Sequence, residues 1–250
     1  PRGKQVHKPR GIWYTPTTGI WQSVWIEPVS ESYIEGLKIT PDVDSKLLRV
    51  TVNAAGGDAK DVTVRAFDGE KEIASKQGTA GEELGLEIAE PKLWSPDDPF
   101  LYDLKVSLSK DGKETDAVDS YFGMRKVSIG PGPGGVTRML LNDEFVFQYG
   151  PLDQGFWPDG LYTAPTDEAL RYDLEMTKKL GFNMVRKHVK VEPARWYYWC
   201  DKMGLLVWQD MPSGDESVGR GQGEITRTAE SAEQFELELR RMLDSFHNAP

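Results

Sequence analysis

The hydrophobic and polar positions follow two different periods along the chain. Between Val29 and Val127 they alternate at period two. Leu48, Val50 and Val52 alternate with Arg49 and Thr51; Val62, Val64 and Ala66 with Thr63 and Arg65; Tyr102, Leu104, Val106 and Leu108 with Asp103, Lys105 and Ser107. Successive side chains of a strand point to opposite faces, so each run buries one face and wets the other. Gly56-Gly57-Asp58, Asp68-Gly69 and Asp111-Gly112 divide the runs with residues suited to tight turns. Short alternating strands over about 100 residues predict a two-sheet β-sandwich of immunoglobulin-like type, here without the cysteine pair of antibody domains.

Beyond Gly130-Pro131-Gly132-Pro133-Gly134-Gly135 the period lengthens. Phe145-Val146-Phe147-Gln148-Tyr149 reads as a short apolar strand. Thr166 is the expected N-cap of a helix with Asp167 and Glu168 in its first turn, Leu170, Leu174, Met176 and Leu180 on its apolar stripe, and Gly181 at its end. Phe182-Asn183-Met184-Val185 reads as a buried strand, and Pro193 and Gly204 bracket a helix carrying Trp196, Cys200 and Met203. Leu205-Leu206-Val207-Trp208 is the next strand. Ser231-Ala232-Glu233-Gln234 reads as a capping box opening a helix with Phe235, Leu239, Met242, Leu243 and Phe246 on one face. Continuous apolar strands alternating with helices predict a parallel sheet. About three such units fit, whereas a closed (β/α)8 barrel takes roughly 250 residues, so a barrel reading calls for more chain.

The first residues behave differently again. Trp13, Tyr14, Trp21 and Trp25 stand among Pro9, Gly11, Pro16 and Gly19, and Trp21-Gln22-Ser23-Val24-Trp25-Ile26-Glu27 alternates like one strand of a sheet whose partners lie elsewhere. Either it closes a domain not otherwise present, or it is an arm folded onto the rest. The expected organisation is therefore residues 1–28 as the end of one domain, 29–127 as the sandwich, and 128–250 as the first part of an α/β barrel. Pro1 rather than Met opens the chain, which points to an upstream segment.

Charge and composition narrow the chemistry. Among 250 residues, 30 Lys and Arg stand against 40 Asp and Glu, a net charge of −10 that offers no basic face for nucleic acid. No run approaches the ~20 apolar residues of a membrane-spanning helix. The single cysteine, Cys200, excludes an intrachain disulfide and a cysteine-rich metal site. It leaves the compartment open, a periplasmic or secreted bacterial setting included.

In strand–helix folds, chemistry gathers just beyond the C-terminal ends of the strands. Asp153, Gln154 and Trp157 follow the first expected strand, Arg186, Lys187 and His188 the second, and Gln209, Asp210 and Pro212-Ser213-Gly214 the third. Carboxylate, guanidinium, imidazole and indole around one crevice suit a polar ring-shaped ligand, through charge-assisted hydrogen bonds and stacking. Each also has a plainer role open to it. His188 can be a structural histidine, Arg186 can neutralise a carboxylate, Asp210 can cap a turn, and Trp157 and Trp208 can be packing. No zinc-binding histidine pair, phosphate loop or nucleophile elbow occurs.

Several stretches carry a family resemblance. Gly19-Ile20-Trp21-Gln22-Ser23-Val24-Trp25-Ile26-Glu27-Pro28 resembles the closing strand of the sugar-binding jelly roll of glycoside hydrolase family 2, the β-galactosidases, β-glucuronidases and β-mannosidases. Leu93-Trp94-Ser95-Pro96-Asp97, with Pro99, Leu101 and Tyr102, resembles its immunoglobulin-like domain. Phe122-Gly123-Met124-Arg125, Leu141-Asn142 and Gly150 resemble its approach to the catalytic TIM barrel. Gly181–Arg186 and Cys200–Val207 are similar to its second and third barrel strands. The stretches come in the family's order along essentially the whole chain.

The resemblance implies a retaining β-glycosidase, β-galactosidase-like, in which two glutamates act as nucleophile and acid/base. In the family the acid/base follows an asparagine. Here Asn53, Asn142, Asn183 and Asn248 precede Ala54, Asp143, Met184 and Ala249, while His247-Asn248-Ala249-Pro250 resembles the approach to the acid/base strand. Both glutamates are accordingly expected beyond residue 250, and the chain alone is expected to be inactive. Arg186 matches the arginine that supports the nucleophile. His188 resembles a substrate-contacting histidine at a spacing one residue shorter, and Asp210 falls where members carry an acid. Met211-Pro212-Ser213-Gly214 lacks the glutamate and histidine of the magnesium-dependent members, so neither metal nor other cofactor is expected. The expected partners are a β-glycoside and the rest of a longer chain, with self-association through the open sheet edge. A non-catalytic carbohydrate-binding or adhesion module, or a β-glucuronidase or β-mannosidase, is the alternative.

Overall fold

The computed structural model describes residues 3–212 and 226–249. They form two compact units, 25–147 and 1–24 with 148–250.

The unit 25–147 holds seven strands of a sandwich: β1 (Ser32–Asp42), β2 (Leu47–Gly56), β3 (Asp61–Asp68), β4 (Lys71–Thr79), β5 (Glu83–Glu87), β6 (Tyr102–Lys110) and β7 (Lys113–Phe122). One sheet has the order β1-β2-β5, the other β4-β3-β6-β7, and all neighbours are antiparallel. The alternation seen along the chain is the inside–outside alternation of the sheets. Leu48, Val50, Val52, Val62, Val64, Ala66, Leu104, Val106 and Leu108 are closed to solvent. Asp111 and Gly112 both take positive φ between β6 and β7, as a two-residue hairpin turn of matching twist requires. Trp94 lies fully buried, its N–H donating to Met124 O at 2.8 Å, with the Arg125 guanidinium 4.8 Å from its ring. Asn142 donates to Trp94 O at 3.0 Å. A small antiparallel sheet, β8 (Val127–Pro131), β9 (Thr137–Leu141) and β10 (Glu144–Phe145), follows in the same unit.

The other unit is built of β11 (Leu152–Asp153), α1 (Asp167–Lys179), β12 (Met184–Lys187), α2 (Ala194–Met203), β13 (Leu206–Gln209) and α3 (Ala229–Ser245). The strands are parallel, in the order β11-β12-β13. Thr166 caps α1, accepting from Ala169 N at 3.1 Å, and Gly204 ends α2 in the left-handed conformation, with φ 74°. Leu170, Leu174, Val185, Trp196, Tyr197, Cys200 and Leu205 form the core.

Three local expectations differ from the structure. Phe145–Tyr149 is not the first parallel strand: Glu144–Phe145 pairs back on β9, and the parallel sheet begins at Leu152. Apolar content marked a strand there without telling hairpin from parallel pairing. The helix α3 starts at Ala229 rather than after Ser231, because the Thr228 hydroxyl accepts from Ser231 N at 3.2 Å one turn earlier. Residues 21–27 form no strand, and Ile26 is 98% exposed. Among the described residues no strand pairs with them, and an isolated strand leaves its backbone hydrogen bonds to water. Tyr14 and Trp21 nonetheless fold onto their unit through aromatic contacts: Tyr14 stacks on Phe156 at 4.1 Å, and Trp21 meets Tyr162 edge-on at 4.5 Å.

Candidate functional site

Register decides which side chains can meet. In the parallel sheet Leu152 pairs with Arg186 and Arg186 with Trp208, while Asp153 pairs with Lys187 and Lys187 with Gln209. Neighbours in register share a face, and the next residue takes the other. Arg186 therefore lies on one face and Asp153 on the opposite one.

On the first face Arg186, His188 and Asp210 come together. The Arg186 guanidinium donates to both carboxylate oxygens of Asp210, Nε to Oδ1 at 3.0 Å and Nη2 to Oδ2 at 2.9 Å. His188 Nδ1 lies 2.6 Å from Asp210 Oδ2. An ionised carboxylate only accepts, so the imidazole carries a proton on Nδ1 and leaves Nε2 directed elsewhere. Burial alone pushes the Asp210 carboxyl up, but the hydrogen bonds from Arg186 and His188 outweigh it and hold the group below the ordinary carboxylate range. The same pair raises the Arg186 guanidinium. Arg186 keeps 43% of its side chain open to solvent, against 19% for Asp210, so the cluster has one accessible cationic side.

On the other face Asp153 belongs to a buried charge network. Lys187 Nζ donates to Asp153 Oδ2 at 2.5 Å and to Glu192 Oε1 at 2.9 Å, and Lys190 Nζ lies 3.0 Å from Glu192 Oε1. Lys187, Lys190 and Glu192 are each 1–2% exposed. Two ammonium groups and two carboxylates cancel, as burial demands. Desolvation pulls Lys187 down, but the Asp153 and Glu192 carboxylates overcome it and its ammonium form is favoured. Desolvation lowers Lys190, which also donates to Gly155 O at 2.6 Å and Tyr162 O at 2.9 Å. Burial pushes the Tyr162 hydroxyl up to about 12.

The remaining two candidates stand apart from Arg186. Gln154 and Trp157 line a cleft of about 560 Å³ together with Tyr14, Phe156, Asp173 and Thr177. Gln154 Oε1 and Trp157 Nε1 are buried there without a hydrogen-bond partner among the described residues. Ser213 and Gly214 lie outside the described residues. Sequence reasoning did not single out Lys190 and Glu192. Their signal is charge at alternate positions, Lys-x-Glu, directly before a helix-opening proline, where a solvated loop would need no such spacing. Among the described residues no three His, Cys, Asp or Glu side chains are placed to hold a metal ion, and no helix is long and apolar enough to cross a membrane.

Comparison with known proteins places this geometry in context. The family model for glycosyl hydrolases family 2 matches residues 32–125. A β-galactosidase of Lactococcus lactis is 26% identical over 198 residues, covering 77% of this chain and 19% of the relative. A putative β-glucuronidase of Formosa agariphila is 29% identical over 205 residues, covering 78% of this chain and 24% of the relative. The chain thus spans about a fifth to a quarter of the length of these relatives. The structure of a β-D-glucuronidase from Dictyoglomus thermophilum superposes with a TM-score of 0.73 at 18% identity, covering 88% of this chain and 37% of that one, a likeness of fold.

Proposed function

We propose, from the match to glycosyl hydrolases family 2, that the chain supplies the immunoglobulin-like sandwich and the first strand–helix units of the catalytic (β/α)8 barrel of a retaining β-glycosidase. Residues 1–28 are then the close of a sugar-binding jelly roll, 29–127 the sandwich and 128–250 the start of the barrel. The observation that carries the reading is the Arg186–Asp210–His188 cluster at the C-terminal ends of adjoining parallel strands, the place where barrel enzymes hold their substrates.

A β-glycoside is a ring bearing several hydroxyls, and a guanidinium clamped by a carboxylate offers it donors of fixed direction. Arg186 keeps a solvent-facing side that can also steady an anionic carboxylate nucleophile. His188 presents Nε2 as a further polar contact. The two glutamates that retaining hydrolysis needs stand outside residues 1–250 in this reading, so the chain by itself turns nothing over, and the reaction requires no cofactor. The substrate is galactoside-like, in line with the L. lactis relative. The glucuronidase relatives favour a glucuronide as the second reading. Carriage by a longer chain, or self-association, covers Leu152 on the edge strand and Trp208 beside Arg186, which are 49% and 43% exposed.

Initial rates of the longer protein on aryl β-galactoside, β-glucuronide and β-mannoside test the proposal. Turnover with retention at the anomeric carbon supports it, and the preferred sugar decides between the readings. Sugar binding without turnover of any of the three replaces it with a carbohydrate-binding module.

A further inference from the structure

Asp210 is the last residue the sheet holds: its N–H donates to Lys187 O at 3.0 Å, one position beyond β13. What fixes the other side of its backbone is the side chain of the residue before it. Gln209 Nε2 donates to Asp210 O at 2.7 Å and to Lys190 O at 2.8 Å. Its Oε1 accepts from the Tyr197 hydroxyl at 2.6 Å. This amide orientation is the only self-consistent one, since the flipped amide would set an oxygen against two carbonyl oxygens. Tyr197 in turn is clamped from α2: it is 4% exposed, its ring lies 4.1 Å from Phe246, and its oxygen receives Glu192 N at 3.3 Å. Burial raises its hydroxyl, which therefore stays a donor across the neutral range.

We propose that Tyr197 and Gln209 are positioning residues: a latch from α2 through the Gln209 amide that sets the backbone of Asp210 and, through it, the Arg186 and His188 side chains. The inference rests on the reading of those three as the substrate-facing cluster, and gives that cluster its means of alignment. The latch acts from the helix-packed face of the sheet and touches no substrate. It adds a tie from the helix-packed side between the Lys187–Glu192 loop and the residue after β13, which also meet through Asp210 N–H to Lys187 O and through His188 Nδ1 to Asp210. Releasing it leaves Asp210 free to turn and loosens both partners at once.

The test reads His188 directly, by long-range proton–nitrogen NMR on the 15N-labelled chain, in which the two ring nitrogens report which carries the proton. In the unaltered chain the neutral imidazole is in the Nδ1–H form, because Nδ1 faces the Asp210 carboxylate at 2.6 Å. Tyr197→Phe removes the anchor, and Gln209→Glu keeps the shape while losing both donations. Thr166→Ala, at the α1 cap, destabilises the same unit without touching the latch. The proposal expects loss of the Nδ1–H signature in folded Tyr197→Phe and Gln209→Glu, and its retention in Thr166→Ala. An unchanged His188 spectrum in folded Tyr197→Phe overturns it, as does loss of the signature in Thr166→Ala. Because no sugar enters the measurement, a failed latch and a failed glycosidase reading are told apart. Loss of the signature with no turnover in the longer protein leaves the latch standing and removes the function.

Discussion

In the sandwich unit Leu48, Val50, Val64 and Leu104 are closed to solvent with no charged side chain among them; in the strand–helix unit Lys187, Lys190 and Glu192 are closed just as completely. All the fully buried charges among the described residues belong to the second unit, Asp201 included. The sandwich is held by removal of apolar surface, which has no pH dependence of its own. The strand–helix unit places cancelling charges directly beneath the strand ends that present Arg186, His188 and Asp210. Stability by area alone tolerates repacking; a network of paired charges tolerates the loss of none. The region proposed to do chemistry is thus the one whose geometry is over-determined by electrostatics.

The largest effect expected from breaking this contrast is at Glu192, which contacts both buried lysines. Glu192→Ala leaves them with one carboxylate, and should destabilise the strand–helix unit by about 3–5 kcal/mol. Hydrogen exchange followed unit by unit should show faster opening there and unaltered protection of β2, β3 and β6. Equal acceleration in both units would contradict the division. Leu104→Ala is the counterpart in the sandwich, expected to cost about 2–5 kcal/mol by opening a cavity, with the slowed-exchange pattern of the other unit kept.

A smaller effect is expected with acid. Asp210 has a folded pKa below its unfolded one, so its contribution is present above the ordinary carboxylate range, near 4, and is lost as pH falls through the depressed value. Thermal melting between pH 6 and pH 3 should lower the strand–helix transition more than the sandwich transition, and Asp210→Asn should remove part of that difference. The smallest expected effect is at the cap of α1: Thr166→Ala should cost about 1 kcal/mol, read as a lower denaturation midpoint at unchanged slope.

How much of this was legible along the chain follows the same divide. Tyr102, Leu104, Val106 and Leu108 announced a strand because one face meets a core and the other water, and the sheet kept that pattern intact. Thr166, Gly181 and Gly204 marked helix ends because capping is local chemistry. The candidates Arg186, His188 and Asp210 could be picked from their places after strands, and the structure brings them within 2.6–3.0 Å. Asp153 could not be told from them in the same way. Its face depends on the register between β11 and β12, and register is a property of pairing rather than of either strand. The strand β11 is two residues long, too short to display a period, which is why Phe145–Tyr149 drew the prediction instead. The latch from Tyr197 to Gln209 crosses from helix to strand, a relation that no spacing encodes.

The face that each carboxylate takes is the claim on which the functional account turns. It is tested most directly by kcat/KM of the longer protein on its best aryl β-glycoside, with Asp210→Asn and Asp153→Asn compared. Removing a charged hydrogen-bond partner from the cluster proposed to face the substrate is expected to lower kcat/KM by about 10- to 100-fold in Asp210→Asn. Asp153→Asn is expected to lower the melting temperature while leaving kcat/KM within about threefold of the unaltered protein, since it acts from the opposite face. A loss of activity in Asp153→Asn as large as that in Asp210→Asn, at a temperature where both are folded, would contradict the assignment.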